Sequence, residues 1–398
     1  MIDYDINSLV KKSLQIFDPI NDLYFSGLFE GIGGVTLYLG YVKEKRLDSM
    51  SETLFENYYK KYLDVISNTN QQANFCNGLA GISWLLNVLY KRKIIDIEND
   101  LDEINRLVIK STKADYEFNN YDLFYGYIGK VIGLSNQSNS SFNFLLEEAI
   151  RNLRLSSIKT YKGICWEDPQ NKRVANLGIP HGIPGIVSFL CDYKEFQLEG
   201  KNNSEMIEKA LDWLLSIEKK GFQWSFPTGL SIDTNISSNK GRLAWCYGDL
   251  AVSFALLKGS KTLNNKFYFD NGLRIAIRTL EHSLLNTGIV KISGTNLFDV
   301  GLCHGAASIC LLYKKIFEIS QNESIYKAYI SWLDFTFKEV SKHLNDFDSI
   351  PENKEIFENI VGIKKFGLLE GITGALLLLL SSKFKDLNEW ERIFLVNT

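Results

Sequence analysis

The stretch Phe29-Glu-Gly31-Ile-Gly-Gly34 returns almost unchanged near the other end of the chain, as Leu369-Glu-Gly371-Ile-Thr-Gly374. Five similar six-residue segments lie between these two, and we call all seven segments boxes. Each box has a glycine, usually an apolar residue after it, and a second small residue three positions on. The five middle boxes are Cys76-Asn-Gly78-Leu-Ala-Gly81, Phe124-Tyr-Gly126-Tyr-Ile-Gly129, Pro180-His-Gly182-Ile-Pro-Gly185, Cys246-Tyr-Gly248-Asp-Leu-Ala251 and Cys303-His-Gly305-Ala-Ala-Ser308. Because a long-period internal repeat decides a whole fold, these boxes predict the architecture.

Successive first glycines of the boxes are 47, 48, 56, 66, 57 and 66 residues apart, which fits one pair of helices per repeat. An apolar segment follows most boxes, as in Ile82–Tyr90 and Ala375–Leu380. Charged segments with helical periodicity lie between boxes, as in Glu52–Ile66 and Glu323–Leu344. Paired small residues three positions apart suit the first turn of a helix that closely approaches another backbone.

Apolar helices that alternate with charged, amphipathic helices predict an all-α protein, an α/α toroid with a double ring of about seven inner and seven outer helices. Every inner helix would begin at the same end of the ring, so that all boxes face one cavity. Near-identical first and last boxes are expected if the seventh repeat closes on the first. No linker divides the chain, which predicts a single domain over residues 1–398. A linear solenoid is the structural alternative.

Three short stretches resist a helical interpretation. Thr160–Trp166, Gly221–Phe226 and Gly288–Gly294 are β-prone, are bounded by turn residues, and precede the boxes around His181, Cys246 and Cys303. We expect them to form short β-hairpins near the mouth of the cavity.

Composition excludes several classes of function. The formal net charge is only -3, so bulk electrostatics favour neither nucleic acid nor an anionic membrane as a partner. The N-terminus lacks a basic region followed by an apolar one, and the longest apolar run, Ala375–Leu380, is too short to span a bilayer. We therefore expect a protein without a transmembrane segment that is cytoplasmic.

Two boxes carry a candidate metal site. Cys246, Cys303 and His304 offer two thiolates and one imidazole, a soft set suited to one zinc ion per chain with an open fourth position. The cysteines occupy the same register in adjacent repeats, which brings them within reach of one ion. The alternative is that they pack as small hydrophobes, as we expect of Cys165, Cys191 and Cys310. Cys76 shares the register, so register alone does not make a ligand.

Sequence position alone does not decide the roles of three other polar residues near the boxes. His181 is the repeat equivalent of His304 and suits general acid–base chemistry, but it could equally be a core histidine. Asp122, four residues before Gly126, is explained by capping of the following turn. Arg242, four residues before Cys246, fits a surface charge as easily as an anion donor.

The strings Trp-Cys-Tyr-Gly at 245–248, Cys-His-Gly at 303–305 and His-Gly at 181–182, in that order, resemble the lanthipeptide cyclase (LanC-like) family, and the resemblance extends over the whole chain. It implies an α/α barrel with zinc held by Cys246, Cys303 and His304. It also implies that zinc lowers the pKa of a precursor-peptide thiol, which adds to dehydroalanine or dehydrobutyrine to give a thioether ring. The resulting enolate needs stabilisation and a proton.

The resemblance carries catalytic roles to further residues. The family's catalytic His-Gly histidine matches His181, and its catalytic aspartate in an Asp-x-x-x-Gly box matches Asp122. Its arginine matches Arg242, as an enolate or carboxylate partner, and Tyr247 is a further candidate. The implied partner is a dehydrated class I precursor peptide with its leader; a lanthipeptide dehydratase and a transporter are further candidate partners.

Two boxes depart from the family's usual pattern. Asp249-Leu-Ala251 stands where a Pro-Gly pair usually follows Trp-Cys-Tyr-Gly, and Ala306-Ala-Ser308 stands where a second glycine is more usual. We expect both to reshape the cavity floor.

Three alternative functions differ from the cyclase hypothesis. One is addition of glutathione or another small thiol to a different electrophile. Another is a zinc-stabilised scaffold that binds peptides without catalysis. A carbohydrate-active toroid ranks last, because it needs paired carboxylates where these boxes offer thiols and imidazole.

Overall fold

The computed structural model describes residues 4–18, 25–96, 101–136, 140–198, 200–234, 236–237, 240–347 and 366–398. These residues contain fourteen α-helices. In chain order they are α1 Ile6–Phe17, α2 Ile32–Glu44, α3 Ser51–Asn68, α4 Leu79–Lys91, α5 Asp102–Glu117, α6 Tyr127–Leu134, α7 Ser140–Ser156, α8 Ile183–Asp192, α9 Ser204–Ser216, α10 Asp249–Leu263, α11 Lys266–Arg278, α12 Ala306–Ser320, α13 Glu323–Asn345 and α14 Ile372–Lys383.

The even-numbered helices form the inner ring, and each begins directly after a box glycine. These helices are apolar on nearly every side, and almost every residue of α10 and α14 is buried. Each even-numbered helix packs against an odd-numbered one, which is amphipathic and lies outside it. The alternation of apolar and charged segments therefore produced the predicted double ring, because only the inner helices are covered by protein on both sides.

Both rings close on themselves. Helix α14 packs against α2, which joins the last repeat to the first. Helix α1 packs against α13 and α14, so it completes the outer ring as its seventh member. The predicted α/α toroid is confirmed, and the solenoid alternative is wrong because a solenoid would leave its terminal repeats apart.

A circle of backbone hydrogen bonds joins the boxes at the end of the ring where the inner helices begin. In each bond an N–H two or three residues before a box glycine donates to a carbonyl two or three residues before the glycine of the next box, and the seventh box donates to the first. Six of the seven bonds join equivalent residues, and the bond from Leu123 to Pro180 is offset by one residue. The bonds run from Phe29 to Cys76 (3.2 Å), Cys76 to Phe124 (3.1 Å), Leu123 to Pro180 (2.9 Å), Ile179 to Trp245 (3.4 Å), Cys246 to Cys303 (3.3 Å), Cys303 to Leu369 (2.9 Å) and Leu369 to Phe29 (3.0 Å).

The second small residue of a box lets the start of each inner helix sit against the preceding turn. At Gly185 an added Cβ would lie 1.8 Å from the backbone oxygen of Ile179, and at Gly129 it would lie 1.8 Å from that of Leu123. No side chain fits at that separation, so the box pattern reflects a steric demand of the turn.

Aromatic side chains fill the centre of the ring beneath the boxes. The ring centroid of Phe29 lies 5.0 Å from that of Phe124 and 5.4 Å from that of Phe394. Trp245 packs on Phe394 with centroids 5.0 Å apart and donates its indole N–H to the Phe394 carbonyl at 2.8 Å. The C-terminal segment thus closes the floor of the ring and supports the boxes from below.

The strand predictions are only partly confirmed. Strand β1 (Ile158–Thr160) pairs with β2 (Gly163–Cys165) in the first predicted hairpin, but β2 packs against the outer helix α9. Residues 221–226, all of them described, form no strand, because the Ser225 and Phe226 N–H groups donate to the Asp249 carboxylate. Residues 288–294 contribute only an isolated bridge, between Lys291 and Phe298.

A second antiparallel pair was not predicted. Strand β3 (Val174–Asn176) pairs with β4 (Gly229–Ser231) across 53 residues of chain, with Asn176 opposite Gly229. Its two strands are three residues each, too short for their alternation to stand out in the sequence.

Among the described residues, none of the helices combines the length and apolar composition needed to cross a bilayer. The described buried apolar residues form one cluster that draws on all repeats. The proposed single domain over residues 1–398 includes positions outside the described ranges and stays a prediction.

The steric role of the second small residue can be tested with Gly185→Ala. Its Cβ would meet backbone that cannot move independently of the box, so we expect unfolding in urea to become easier by about 3 kcal/mol. Gly200→Ala is the control, because nothing lies within 4 Å of an added Cβ there and only its φ of +72° opposes the side chain. That penalty is about 1 kcal/mol. Equal losses in the two variants would contradict the steric role of the box.

Candidate active site

Three of the predicted site residues lie close enough together to bind a single metal ion. One ligand atom each from Cys246, Cys303 and His304 lies within 4.8 Å of the others. Cys246 is buried, whereas Cys303 and His304 are partly exposed, so the group opens on one side. The ring of hydrogen bonds explains this meeting, because the Cys246 N–H donates to the Cys303 carbonyl.

Ser308 fastens the same two loops. Its hydroxyl accepts the Trp245 N–H at 2.7 Å and donates to the Cys303 carbonyl at 3.1 Å. Ser308 stands where a glycine was expected, and we predicted that the departure reshapes the cavity floor. In the structure it ties together the loops that carry the two cysteines, and the expected effect on the cavity floor stays a prediction.

The two thiols interact directly, and their pKa values are shifted in opposite directions. The pKa of Cys246 is lowered because the Cys303 thiol donates a hydrogen bond to its sulfur, and His304 adds a further hydrogen bond. The pKa of Cys303 is raised, first by that same interaction and then by burial. The pKa of His304 is raised by its contact with Cys246, against the opposing effect of burial.

This donor set fits a soft metal ion. Two sulfurs and one imidazole nitrogen suit Zn²⁺, and three protein ligands leave one tetrahedral position for a substrate. The other cysteines are different: Cys76, Cys165, Cys191 and Cys310 are all buried, and burial raises the pKa of each. Cys76 lies outside the metal group found among the described residues, although it shares its register.

His181 and Asp122 form a pair across the boundary between two repeats. The Nδ1 atom of His181 lies 2.5 Å from Asp122 Oδ2. Asp122 Oδ1 accepts the N–H groups of Phe124 and Tyr125, so the aspartate caps the turn, as its position suggested, and orients the histidine as well. Burial would lower the pKa of His181, but the hydrogen bond and the charge of Asp122 outweigh it, and the pKa is raised.

This pairing fixes the direction of the imidazole. With Nδ1 engaged by the buried carboxylate, Nε2 remains for a substrate. The histidine is partly exposed, and its charge interacts with that of Cys246, so it lies near the metal group. Such an imidazole can give or take a proton close to neutral pH.

Tyr247 and Arg242 complete the predicted set. The pKa of Tyr247 is raised, chiefly by burial, and the nearby side chain of Asn176 opposes this effect. The positive charge of Arg242 contributes to the lowered pKa of Cys246, so the arginine also lies near the metal group. Its backbone carbonyl oxygen would lie 1.8 Å from a Cβ added at Gly248, so a side chain has no room there, and the φ of +99° at Gly248 also favours glycine.

Asp249, the other departure, acts at the start of α10. Its buried carboxylate accepts the N–H groups of Ser225 at 3.0 Å and Phe226 at 2.9 Å. Burial raises the pKa of Asp249 to about 6. This residue therefore anchors the loop before Cys246 and does not enter the metal group.

Three supporting residues near the site escaped the sequence analysis. Asn176 lies beside Tyr247 and donates to buried Asp168 at 2.9 Å, and Asp299 lies 3.3 Å from His304. Two of them could have been found, because Asn176 and Asp299 stand six residues before a box glycine, as Arg242 does.

Comparisons with known proteins agree with this geometry. The family model for lanthionine synthetase C-like protein matches residues 24–395. The chain is 22% identical over 397 residues to the nisin biosynthesis protein NisC of Lactococcus lactis subsp. lactis, with 90% of this chain and 85% of that protein covered. The solved structure of a nisin cyclase has a similar fold, with a TM-score of 0.69 at 18% identity over 98% of this chain and 96% of the other.

The coupling of Asp122 to His181 can be tested by titration. In Asp122→Asn the carboxylate that raises the pKa of His181 is lost while burial remains, so the pKa should fall below the ordinary histidine value. NMR of protein labelled at its four histidines follows each imidazole separately. His343, whose pKa is lowered by burial, is the internal control and should not move. An unchanged His181 titration would contradict the assigned pairing.

Proposed function

Because the chain belongs to the lanthionine synthetase C-like family, we propose that it is a zinc-dependent lanthipeptide cyclase. Its substrate would be a dehydrated precursor peptide that carries cysteine together with dehydroalanine or dehydrobutyrine. Its product would be the (methyl)lanthionine thioether ring. The observation that carries this proposal is the Cys246, Cys303 and His304 group, which opens beside the His181–Asp122 pair.

Cys246, Cys303 and His304 would hold the ion. When bound there, zinc would supply a Lewis acid that lowers the pKa of a substrate thiol placed in the open position. The partial exposure of Cys303 and His304 leaves that side of the site accessible to a peptide.

The reaction balances without a redox partner. The substrate sulfur forms a bond to the β-carbon of the dehydroamino acid, and the π electrons move onto the carbonyl oxygen to give an enolate. The thiol proton leaves, and a proton is added to the α-carbon. His181 would deliver that proton from Nε2, a role supported by the pairing of Nδ1 with Asp122, which favours the imidazolium.

Arg242 and Tyr247 would assist at the developing enolate. An arginine near the reacting carbonyl can stabilise negative charge that appears only in the transition state. Among the described residues, no carboxylate forms an ion pair with Arg242, so its charge is available to a substrate oxygen. The Tyr247 hydroxyl, which lies beside Asn176, can donate a hydrogen bond to the same group.

The precursor peptide, bearing its leader, is the proposed partner, and a lanthipeptide dehydratase and a transporter remain candidate partners. We also propose a cytoplasmic location. It is supported by six free cysteines, which persist in reducing surroundings.

Zinc content tests the ligand set. Purified wild-type protein should contain about one zinc per chain, and Cys246→Ala, Cys303→Ala and His304→Ala should each contain little, because two remaining ligands hold zinc poorly. Cys76→Ala, with the same register in the second box, is the matched control and should keep its zinc. Full zinc in any of the three ligand variants would refute that ligand.

Cyclisation separates the proton donor from the metal site. His181→Ala should retain zinc and lose cyclisation by about a hundredfold or more, the usual contribution of a general acid. His282→Ala is the control, because His282 stacks on Trp224 and is neither a proposed zinc ligand nor the proposed proton donor. Loss of free thiol in a dehydrated peptide, at unchanged mass, measures the reaction. Undiminished cyclisation by His181→Ala would reject the role of His181.

The same assay distinguishes ring closure by a peptide cysteine from addition of a small thiol such as glutathione. Incubation with glutathione and a dehydroamino-acid peptide that lacks cysteine should give no adduct mass if ring closure is the function. Rapid glutathione addition, faster than ring closure in a cysteine-containing peptide, would instead favour a small-thiol transferase.

A further inference from the structure

The second ring nitrogen of His304 is not free. Nε2 lies 3.3 Å from Asp299 Oδ2, on the loop that leads into the sixth box. This contact leaves Nδ1 as the nitrogen available to the metal group. A histidine ligand commonly donates its other ring N–H to a carboxylate, which fixes the tautomer and makes the coordinating nitrogen more basic.

The carboxylate of Asp299 is held in place by its own loop. Its Oδ1 accepts the Gly301 N–H at 2.7 Å, which leaves Oδ2 for the histidine. The Asp299 N–H donates to the Val290 carbonyl at 2.9 Å, and its carbonyl accepts the Ala306 N–H at 2.8 Å. Gly305 makes room for the carboxylate, since an added Cβ there would lie 2.6 Å from Oδ1.

Outer helix α13 fixes the residue before Asp299. Glu339 Oε2 accepts the Phe298 N–H at 3.1 Å, and His343 Nε2 donates to the Phe298 carbonyl at 2.8 Å. Glu339 and His343 are both buried, with 1% and 5% of their surfaces exposed. Both backbone groups of Phe298 are therefore bound by side chains one turn apart on a single helix.

We propose that Asp299 is a positioning residue for the metal site, supported from the outer ring by Glu339 and His343. Asp299 sets the Nε2–H tautomer of His304 and strengthens Nδ1 as a ligand. The inference rests on the proposed function, because it takes His304 as a zinc ligand. A purely structural role for Asp299 would need only Oδ1, which caps Gly301, and would leave the affinity for zinc unchanged.

Zinc affinity tests the positioning role directly. We expect Asp299→Ala to raise the dissociation constant for zinc about tenfold to hundredfold, measured by competition with a chromophoric chelator. Asp299→Asn, which keeps an oxygen for the Gly301 N–H but loses the charge, should be weakened less. Asp270→Asn is the control, because it removes an equal charge from the surface of α11. Glu339→Gln tests the support from α13 and should weaken zinc binding by less than Asp299→Ala.

A second measurement isolates the contact between Asp299 and His304. In the zinc-loaded protein, the Nε2–H of ¹⁵N-labelled His304 should be hydrogen-bonded and slow to exchange with solvent in the wild type, and it should exchange faster in Asp299→Ala. Urea unfolding of the zinc-free forms serves as a folding control, and if Asp299→Ala does not fold, Asp299→Asn provides the comparison in both measurements.

The outcomes separate this inference from the proposed function. Wild-type zinc affinity in both Asp299 variants, with zinc still lost from His304→Ala, would overturn the positioning role alone. Failure of the wild type to bind zinc would overturn the proposed function and this inference with it. A weakened Asp299→Ala with an intact Asp270→Asn supports the positioning role.

Discussion

A closed circle of backbone hydrogen bonds positions the side chains of the candidate site. Each box donates to the next, and the last donates to the first, so the residues two or three positions before the box glycines are brought together at one end of the ring. The bond from Cys246 to Cys303 brings together two candidate ligands that are 57 residues apart in the chain. Packing of the inner helices and of the C-terminal aromatic floor offsets the entropy lost in closing such long loops.

The proposed site draws on four consecutive boxes, and three of its side chains have a supporting polar residue. Asp122 pairs with His181, Asn176 lies beside the Tyr247 hydroxyl, and Asp299 lies beside His304. Asp299 comes from the loop that precedes the box of His304, whereas Asp122 and Asn176 each reach across from the preceding repeat. The proposed function and the fold would therefore depend on the same turns, because a displaced box would move both a candidate ligand and the group proposed to orient it.

The sequence was sufficient for the ring and for the metal group. Glycine spacing and alternating apolar and charged segments predicted both rings, and the shared register of Cys246 and Cys303 predicted their meeting. The short strands were harder to predict. Residues 221–226 are β-prone, but the N–H groups of Ser225 and Phe226 donate to Asp249, which is more than 20 residues away in the chain. The supporting residues were missed because orientation by a carboxylate is a tertiary contact. One pattern in the sequence could have revealed two of them: Asn176, Arg242 and Asp299 each stand six residues before a box glycine.

X-ray absorption of the zinc-loaded protein tests the central claim most directly, namely that the ring gathers two sulfurs and one imidazole around an ion with one open position. We predict two sulfur neighbours at about 2.3 Å, one imidazole and one light atom, with a third sulfur replacing the light atom when a cysteine-containing dehydrated peptide is added. A coordination shell that the peptide leaves unchanged, or one with only oxygen and nitrogen neighbours, would contradict the account.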